Sequence, residues 1–342
     1  MSTIDRTAAV HRLAVTGDQV RPDGSSIFGD LGLDRLVEHG IEWTVVPVTD
    51  RSFAPGALAD FDALLMMGDA FLTRADLAGT RIRHVARFGA GYDAIDVEAC
   101  TEAGVLVTNT PHALRVPMAH AALTMLFSLA HNLIPKDRLV RSGRWDERTN
   151  WHGRGLEGVT VGIVGLGGVG AETARLIRAL GIEVVAYNRS PRPRIAAELG
   201  IAQLPLNEVA ERSDYLIVAV AGGSGTTDLV DAELLDRMRP GSFLINVSRG
   251  SVVDEEALAT RLESGRLRGA ALDVFREEPL PAAHPFAASE RTVLAPHSLG
   301  WTEAFAANVA ADCLQAIIDV AHGREPAHPV NEDAGNRRRS TQ

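Results

Sequence analysis

The chain has 342 residues and a mass of 36.5 kDa, with a formal charge of −10 and 46% hydrophobic residues. This is enough chain for two globular domains of ordinary size. Among its 34 lysines and arginines only Lys136 is a lysine, and neither a glycine-rich loop nor a Tyr-x-x-x-Lys pattern surrounds it. The composition therefore argues against a Schiff-base enzyme, a Walker phosphate loop and a Tyr/Lys reductase pair.

The charge and the cysteine content limit which partners and which cellular compartment we expect for this protein. An acidic balance repels nucleic acid and anionic membranes at long range, so neither is an expected partner. Cys100 and Cys313 have no metal-ligand spacing and form no disulfide framework, so no metal site is expected. There is no apolar signal core at the N-terminus and no uninterrupted apolar run of about 18 residues. We therefore expect a cytoplasmic protein without a transmembrane helix.

Short apolar runs alternate with helical stretches along nearly the whole chain, which is the pattern of a parallel α/β sheet. The first third predicts one small doubly wound domain. It includes a helix from Asp96, an N-cap residue, to Ala103, before Gly104. Its strands are predicted at residues 12–15, 43–48, 63–67, 84–88 and 105–107.

The middle of the chain has a different character. After Pro117 a helix that is apolar almost all round is predicted over residues 119–133, and such a helix is typical of a buried position. Residues 141–155 are rich in Arg, Gly and Trp and show little periodicity, which predicts an arm or a lid.

A second alternating set begins at Gly158. Helices are predicted over residues 169–180, after the caps Asp231 and Asp254, and over residues 303–320. The strands are predicted at residues 159–164, 182–187, 215–220, 243–247, 270–275 and 292–295. The tail at residues 332–342 is expected to be disordered.

The pattern Gly-x-Gly-x-x-Gly lies between a predicted strand and a predicted helix. Gly165 allows the tight turn, Gly167 lets the backbone approach a pyrophosphate, and Gly170 lets the helix pack on the strand. The helix N-terminus, with Gly168 and Val169, then offers N–H groups to the phosphates. This context predicts a dinucleotide site, and the alternative is a structural glycine-rich turn.

The next predicted strand ends in Asn188, Arg189 and Ser190. A carboxylate here would bind the adenosine ribose hydroxyls and repel a 2′-phosphate. A guanidinium and a hydroxyl suit a phosphate instead, which favours NADP(H) over NAD(H). The alternative is a solvated basic loop.

Arg249, Glu278 and His297 each follow a predicted strand, at the edge where open α/β sheets bind ligands. Taken singly, they suit a surface ion pair, a pre-proline cap and a satisfied loop histidine. Together, after a dinucleotide loop and in one domain, they form an Arg/Glu/His set.

These residues lie in segments that strongly resemble the D-isomer-specific 2-hydroxyacid dehydrogenase family. The resemblance implies that Arg249 binds the substrate and that His297 donates the proton. It also implies that Glu278, which directly precedes a proline, is the partner of His297. The residue chemistry supports these roles, because the fork of Arg249 matches the carboxylate and adjacent ketone oxygen of a 2-oxoacid. An imidazolium at His297, stabilised by Glu278, would donate a proton to that oxygen. The segments run through most of residues 84–300, at 89–96, 165–170, 241–254, 269–279 and 296–297.

The resemblance implies two doubly wound parallel-sheet domains, a Rossmann cofactor domain inserted in a flavodoxin-like substrate domain. We expect the substrate-binding domain at residues 1–116 and 298–331 and the NAD(P)-binding domain at residues 117–297, with the active site in the cleft. The family usually dimerises through an arm at the start of the cofactor domain, here near residues 117–150. A homodimer is therefore expected.

Further contacts follow from the same resemblance. The backbone N–H groups of Ala90 and Gly91 are expected to bind the substrate carboxylate, and Asp273 is expected to hold the nicotinamide carboxamide. The remaining cofactor contacts are expected at Val220, Val247, Ser248 and Gly300. The chain departs from the family pattern at residues 119–120, 219–221 and 298–301. In the last of these segments, Trp301 either lines the substrate pocket or lies in the core.

The leading hypothesis is an NADPH-dependent reductase of a small 2-oxoacid, such as glyoxylate or hydroxypyruvate, that produces the D-2-hydroxyacid. The alternative is a dinucleotide-sensing binding protein, since the family includes transcriptional corepressors that retain the Arg/Glu/His set. A phosphite-oxidising relative is disfavoured, because Ala90 stands where that variant has a lysine.

Overall fold

The computed structural model describes residues 11–21, 23 and 25–331. The chain divides into two units. The discontinuous unit contains the chain up to Leu114 and again from Thr302, and the continuous unit is Arg115–Trp301. From the sequence, we expect the chain to pass from one unit to the other after residues 116 and 297. The tail predicted to be disordered, 332–342, lies outside the described residues.

Strands and helices alternate along the described chain. The strands are β1 (His11–Thr16), β2 (Ile41–Val46), β3 (Val48–Thr49), β4 (Ser52–Phe53), β5 (Ala63–Met66), β6 (His84–Arg87), β7 (Leu106–Thr108), β8 (Thr160–Val164), β9 (Glu183–Tyr187), β10 (Ala202–Gln203), β11 (Tyr215–Val218), β12 (Phe243–Asn246), β13 (Gly269–Leu272) and β14 (Thr292–Leu294). The helices are α1 (Asp34–Glu38), α2 (Arg74–Leu77), α3 (Val97–Glu102), α4 (Pro111–His131), α5 (Leu133–Arg141), α6 (Gly168–Ala179), α7 (Pro193–Leu199), α8 (Leu206–Arg212), α9 (Ala232–Arg237), α10 (Glu255–Glu263), α11 (Pro285–Ala288) and α12 (Glu303–Ala321). The predicted strands are confirmed with ends within three residues, whereas the two-residue strands β3, β4 and β10 were not predicted.

The discontinuous unit is built on a parallel sheet in the order β2-β1-β5-β6-β7. Its strands carry small and branched apolar residues on both faces, and Leu13, Val15 and Leu65 of β1 and β5 are at most 1% exposed. Helix α12 packs against the same core through Val309 and Ile317. This strand order is the flavodoxin-like one.

The continuous unit is built on a parallel sheet in the order β10-β9-β8-β11-β12-β13-β14. The strand order reverses between β8 and β11, which is the point where Rossmann folds bind dinucleotides. The central strands β11 and β12 are buried throughout, as expected for a parallel sheet covered on both faces. The predicted fold class, two parallel α/β domains of which one is a Rossmann fold, is confirmed.

Helix α4 begins earlier than predicted, at Pro111, so Pro117 lies inside the helix and not before its start. Pro111 suits the first helical turn, where its missing N–H has no partner in any case. Further along, Pro117 removes one intrahelical hydrogen bond. The helix tolerates this loss because its following residues, such as Ala122 and Met125, are buried in a core. It ends where Asn132 adopts a positive φ of 52°.

The described helices α4 and α12 are long and apolar enough to cross a membrane by length and composition alone. About half of each helix is buried in the fold, and a core helix of a globular domain passes the same test. Both helices contribute buried residues to the cores described above. The expectation of no transmembrane helix rested on a different test, an uninterrupted apolar run of about 18 residues, and it stays a prediction.

Candidate active site

The glycine loop joins β8 to α6 in the continuous unit. Gly165 has a φ of 104°, a conformation that glycine adopts without strain. A Cβ on Gly170 would collide with the carbonyl oxygen of Gly165, whereas a Cβ on Gly167 would meet nothing within 4 Å. Gly170 therefore lets α6 approach β8, and Gly167 leaves open space at the start of the helix.

The first turn of α6 supplies the binding groups of this loop. Its N–H groups, including those of Gly168 and Val169, belong to the first helical turn, where no intrahelical acceptor exists. Free N–H groups, a positive dipole end and an open approach at Gly167 fit the pyrophosphate of a dinucleotide.

Asn188, at the end of β9, connects that strand to the glycine loop. Its side-chain oxygen accepts a hydrogen bond from Leu166 N–H at 2.8 Å, and its amide group donates to Ser190 O at 2.7 Å. Both ends of the Asn188 side chain are thus used to shape the turn. A direct contact of Asn188 with the cofactor remains a prediction.

Arg189 and Ser190 are exposed at the tip of the same turn. The guanidinium of Arg189 lies next to the loop that follows β11, because a Cβ built on Gly225 would be 2.9 Å from Arg189 Nη1. By contrast, Arg194 forms an ion pair with Glu198 at 3.0 Å. Arg189 is therefore the better placed of these two arginines to bind a ligand at this turn.

The turn after β12 is fixed by Asn246. Its side-chain oxygen accepts from Ser248 N–H at 3.0 Å and from Ser248 Oγ at 2.8 Å, and its amide group donates to Arg249 O at 2.9 Å. The half-buried Arg249 donates from Nη1 to Ser248 O at 2.8 Å. These hydrogen bonds therefore fix the backbone that carries the Arg249 guanidinium.

Glu278 and His297 form the pair expected from the sequence. His297 Nδ1 lies 2.8 Å from Glu278 Oε2, and Glu278 Oε1 accepts from Phe275 N–H at 2.9 Å. Partial burial alone would raise the pKa of Glu278. The His297 hydrogen bond, the Phe275 N–H and the nearby charges of His297 and Arg249 outweigh burial and lower this pKa. Glu278 is therefore a carboxylate at neutral pH, directly beside the imidazole.

Asp273 supports the loop that carries His297. It is 1% exposed, and its Oδ1 accepts from Ser298 N–H at 3.1 Å and from Leu299 N–H at 3.2 Å. Burial raises the pKa of Asp273 above its usual value, although these two hydrogen bonds and the charge of His297 oppose the shift. His297 itself has a positive φ of 52°, an uncommon conformation for a residue with a side chain. The two Asp273 contacts hold the backbone immediately after it.

The turn after β12 and the loop after β13 touch each other directly. A Cβ on Gly250 would collide with the backbone of Phe275 and Arg276. Arg276 in turn donates its N–H to Glu255 Oε1 at 2.8 Å, and its guanidinium donates to Val253 O at 3.0 and 3.1 Å. The segment between Asp273 and Glu278 is thus tied to the start of α10.

The other predicted cofactor residues follow the same sheet edge. Val220 is half-buried after β11, and Val247 and Ser248 are each 6% exposed after β12. Gly300 is buried, and a Cβ there would collide with the sulfur of Met118. The small size of Gly300 therefore serves packing, and its contact with a cofactor remains a prediction.

Ala90 and Gly91, the predicted carboxylate-binding residues, lie in the discontinuous unit. They are half-buried in the loop after β6, and the preceding Gly89 has a φ of 116°. Gly89 N–H donates to Thr110 Oγ1 at 3.1 Å. Among the described residues there is no group of three or more His, Cys, Asp and Glu side chains that could hold a metal ion.

Several residues that shape the site were not singled out from the sequence. Gly250, Glu255 and Arg276 contact residues more than 20 positions away along the chain, and no local pattern marks such contacts. Asn246 acts locally, on Ser248 and Arg249, and its place at the end of β12 was the only local signal.

A Rossmann sheet with this glycine loop and a His–Glu pair at its strand ends defines a nicotinamide-dinucleotide-dependent dehydrogenase. Residues 123–298 match the family described as D-isomer specific 2-hydroxyacid dehydrogenase, NAD binding domain. The chain therefore belongs to the D-isomer specific 2-hydroxyacid dehydrogenase family, and it is an NAD(P)-dependent 2-hydroxyacid dehydrogenase.

Individual relatives agree with this assignment. The chain is 35% identical over 311 residues to the glyoxylate reductase of Korarchaeum cryptofilum, covering 88% of this chain and 93% of that protein. It is 36% identical over 317 residues to the glyoxylate reductase of Thermococcus onnurineus, covering 90% and 95%. Among solved structures it is similar to the NADPH-dependent glyoxylate/hydroxypyruvate reductase of Sinorhizobium meliloti in complex with NADP and malonate. The TM-score is 0.81 at 29% identity, covering 95% of this chain and 98% of that one.

Proposed function

We propose that this enzyme reduces a small 2-oxoacid of the glyoxylate or hydroxypyruvate type to the D-2-hydroxyacid, with His297 as the proton donor and NADPH as the preferred cofactor. The observation that carries the proposal is the 2.8 Å contact between His297 and Glu278. It lies at the sheet edge that also presents Arg249 and the glycine loop. The names of the similar reductases support the substrate class.

The proton-donor role follows from which imidazole nitrogen is occupied. Nδ1 of His297 faces Glu278, so Nε2 is the nitrogen that can donate to a substrate carbonyl oxygen. The Glu278 carboxylate stabilises the positive imidazolium, and Asp273 holds the loop after it. Arg249 supplies a planar fork of donors that binds the substrate carboxylate and the adjacent ketone oxygen.

The parts of the chain that fit a bound dinucleotide are the N-terminus of α6 and the turn from Asn188 to Ser190. When bound, the nicotinamide supplies the hydride. Arg189 and Ser190 are exposed and able to bind a 2′-phosphate, and no carboxylate stands at this turn to repel it. An NADP complex of the Sinorhizobium meliloti relative supports the same preference.

A spectrophotometric panel tests the proposal. Purified enzyme is mixed with glyoxylate, hydroxypyruvate, pyruvate and a larger 2-oxoacid, each with NADPH and with NADH, and the product is resolved by chiral chromatography. We expect turnover with the small acids, a higher kcat/KM with NADPH, and the D-isomer wherever the product is chiral. No cofactor oxidation with any acid would contradict the enzyme proposal and favour the dinucleotide-sensing alternative.

We also propose a cytoplasmic homodimer. Large apolar side chains are exposed on α4, α5 and the following turn, with Leu133 55%, Val140 60% and Trp145 60% exposed. A cavity of about 1320 Å³ adjoins this region and is lined by residues such as Asn132 and Trp151. It lies at the start of β12 to β14, at the opposite end of the sheet from His297, so it suits a partner chain better than the reaction.

A further inference from the structure

The loop Gly89–Gly91 after β6 has its first two carbonyl groups held on one side. Gly89 O accepts from the backbone N–H of Thr110 at 3.0 Å, and Ala90 O accepts from Asn109 Nδ2 at 2.7 Å. Asn109 and Thr110 are adjacent residues that follow β7. Both carbonyl groups therefore point toward the same short segment of the discontinuous unit.

The third carbonyl is held by Arg87, the last residue of β6. Arg87 Nε donates to Gly91 O at 2.9 Å, while its Nη1 donates to Gly68 O at 2.8 Å and to Met66 O at 3.2 Å. One half-buried guanidinium thus ties the end of β5 to the loop after β6. It also brings a fixed positive charge next to that loop.

The first two contacts determine where the N–H groups of Ala90 and Gly91 point, and the Arg87 contact holds the peptide that follows Gly91. In a trans peptide the carbonyl and the next N–H point in opposite directions. Because the carbonyls of Gly89 and Ala90 point toward Asn109 and Thr110, the N–H groups of Ala90 and Gly91 point away from that segment. In the described part of the chain, neither N–H donates to another protein group. Two neighbouring N–H groups on one side form a small anion-binding site.

We propose that Arg87 and Asn109 are positioning residues, which fix the N–H groups of Ala90 and Gly91 in the orientation that binds the carboxylate of the 2-oxoacid. This inference rests on the proposed function for the identity of the anion. We call these two side chains the Arg87–Asn109 clamp. Without Asn109, the Ala90–Gly91 peptide could rotate and present its carbonyl oxygen, which repels a carboxylate. Without Arg87, the next peptide loses the anchor that restrains this rotation. Oriented in advance, the two N–H groups bind without this reorganisation.

Steady-state kinetics on the full chain test the inference, with glyoxylate and NADPH as substrates. Arg87→Met keeps the length of the side chain but removes its donors, and Asn109→Leu keeps the shape of the amide without its N–H. We expect KM for glyoxylate to rise about tenfold in each variant while kcat stays within about twofold. The dissociation constant of NADPH, measured by fluorescence, should not change.

Arg81→Met is the matched control. Arg81 also lies in the discontinuous unit and also donates to a backbone carbonyl, Asp60 O at 2.7 Å, but at the other end of the sheet. It should leave KM unchanged. Arg87→Lys retains one donor and the charge, so it should give a KM between those of the wild type and Arg87→Met.

The outcomes separate this inference from the proposed function. If the wild type turns over and the KM of both test variants equals that of the control, the inference is wrong. It is equally wrong if Arg87→Lys loses folded structure or NADPH affinity, because both effects assign Arg87 to stability alone. If the wild type reduces no 2-oxoacid, the proposed function fails. Calorimetric binding of oxalate then tests the clamp: weaker binding by Arg87→Met supports it and equal binding contradicts it.

Discussion

Arg249 presents a guanidinium on a turn that Asn246 holds rigid. Its replacement should therefore remove substrate contacts without disturbing the glycine loop. For Arg249→Ala we expect kcat/KM for the 2-oxoacid to fall about 10²- to 10³-fold, the range for loss of a charged donor in a site, with nearly unchanged NADPH affinity. Arg237→Ala, which removes ion pairs with Glu211 and Glu233 in the same unit, is the control. Loss of NADPH affinity as well would mean that Arg249 is structural.

Glu278→Gln tests the charge beside His297, because the amide keeps an acceptor and the size of the side chain. The imidazolium that donates the proton then loses the carboxylate beside its Nδ1. We expect kcat for reduction to fall about tenfold. An unchanged kcat would separate Glu278 from the proton transfer.

The lowered pKa of Glu278 also has a consequence for stability. A carboxyl group with a lower pKa in the folded state stabilises the fold fully above its unfolded pKa, about 4.3. This contribution is lost as the pH falls through the lowered folded value. Chemical denaturation at pH 3 to 7 should therefore show a steeper acid loss of unfolding free energy in the wild type than in Glu278→Gln. Parallel pH curves would show that the Glu278–His297 contact adds nothing to stability.

Arg189 is the residue that most directly decides the cofactor. Arg189→Ala removes the guanidinium beside Gly225 but leaves the Asn188 contacts that shape the turn. We expect the ratio of kcat/KM for NADPH to that for NADH to fall about tenfold or more, the cost of losing a charge-assisted phosphate contact. Arg194→Ala removes an exposed ion pair with Glu198 and should leave the ratio unchanged. An unchanged ratio in Arg189→Ala would contradict the preference.

At the scale of elements, the turn after β12 and the loop after β13 are coupled because they are in direct contact. Gly250 has no room for a Cβ against the backbone of Phe275 and Arg276. Gly250→Ala should push the loop that carries Glu278 away from the turn that carries Arg249, lowering both kcat and the unfolding free energy, the latter by about 1–3 kcal/mol. Ser251→Ala, at the exposed neighbouring position, is the control in denaturation and kinetics. Wild-type values for Gly250→Ala would show that the contact relaxes freely.

At the scale of the whole molecule, the exposed apolar side chains of α5 and of the turn after it should determine the oligomeric state. Val140→Asp and Trp145→Asp place a charge where the proposed interface is apolar. We expect light scattering to report a dimer for the wild type and a monomer for the double variant. Val37→Asp, an exposed apolar position on α1 of the other unit, should remain dimeric. A monomeric wild type would contradict the proposed homodimer.

The sequence alone determined the elements and their chemistry, because these depend on local patterns. Apolar runs separated by helices predicted the strands of both sheets, and the glycine spacing predicted the β8–α6 turn, where Gly165 and Gly170 have the expected geometry. The Arg/Glu/His set could be proposed because each member lies in the loop after a predicted strand, and parallel strands end at one edge.

Only the tertiary structure decided how these residues are held. The 2.8 Å contact of Glu278 with His297, the support of His297 by Asp273, and the Arg87–Asn109 clamp join residues that are distant in sequence or belong to different loops. Such contacts depend on strand order and on the direction of single carbonyl groups, which periodicity does not encode. The same limitation explains why the start of α4 was misplaced. Pro117 opposes a helix locally, but the burial of the residues after it outweighs that local preference.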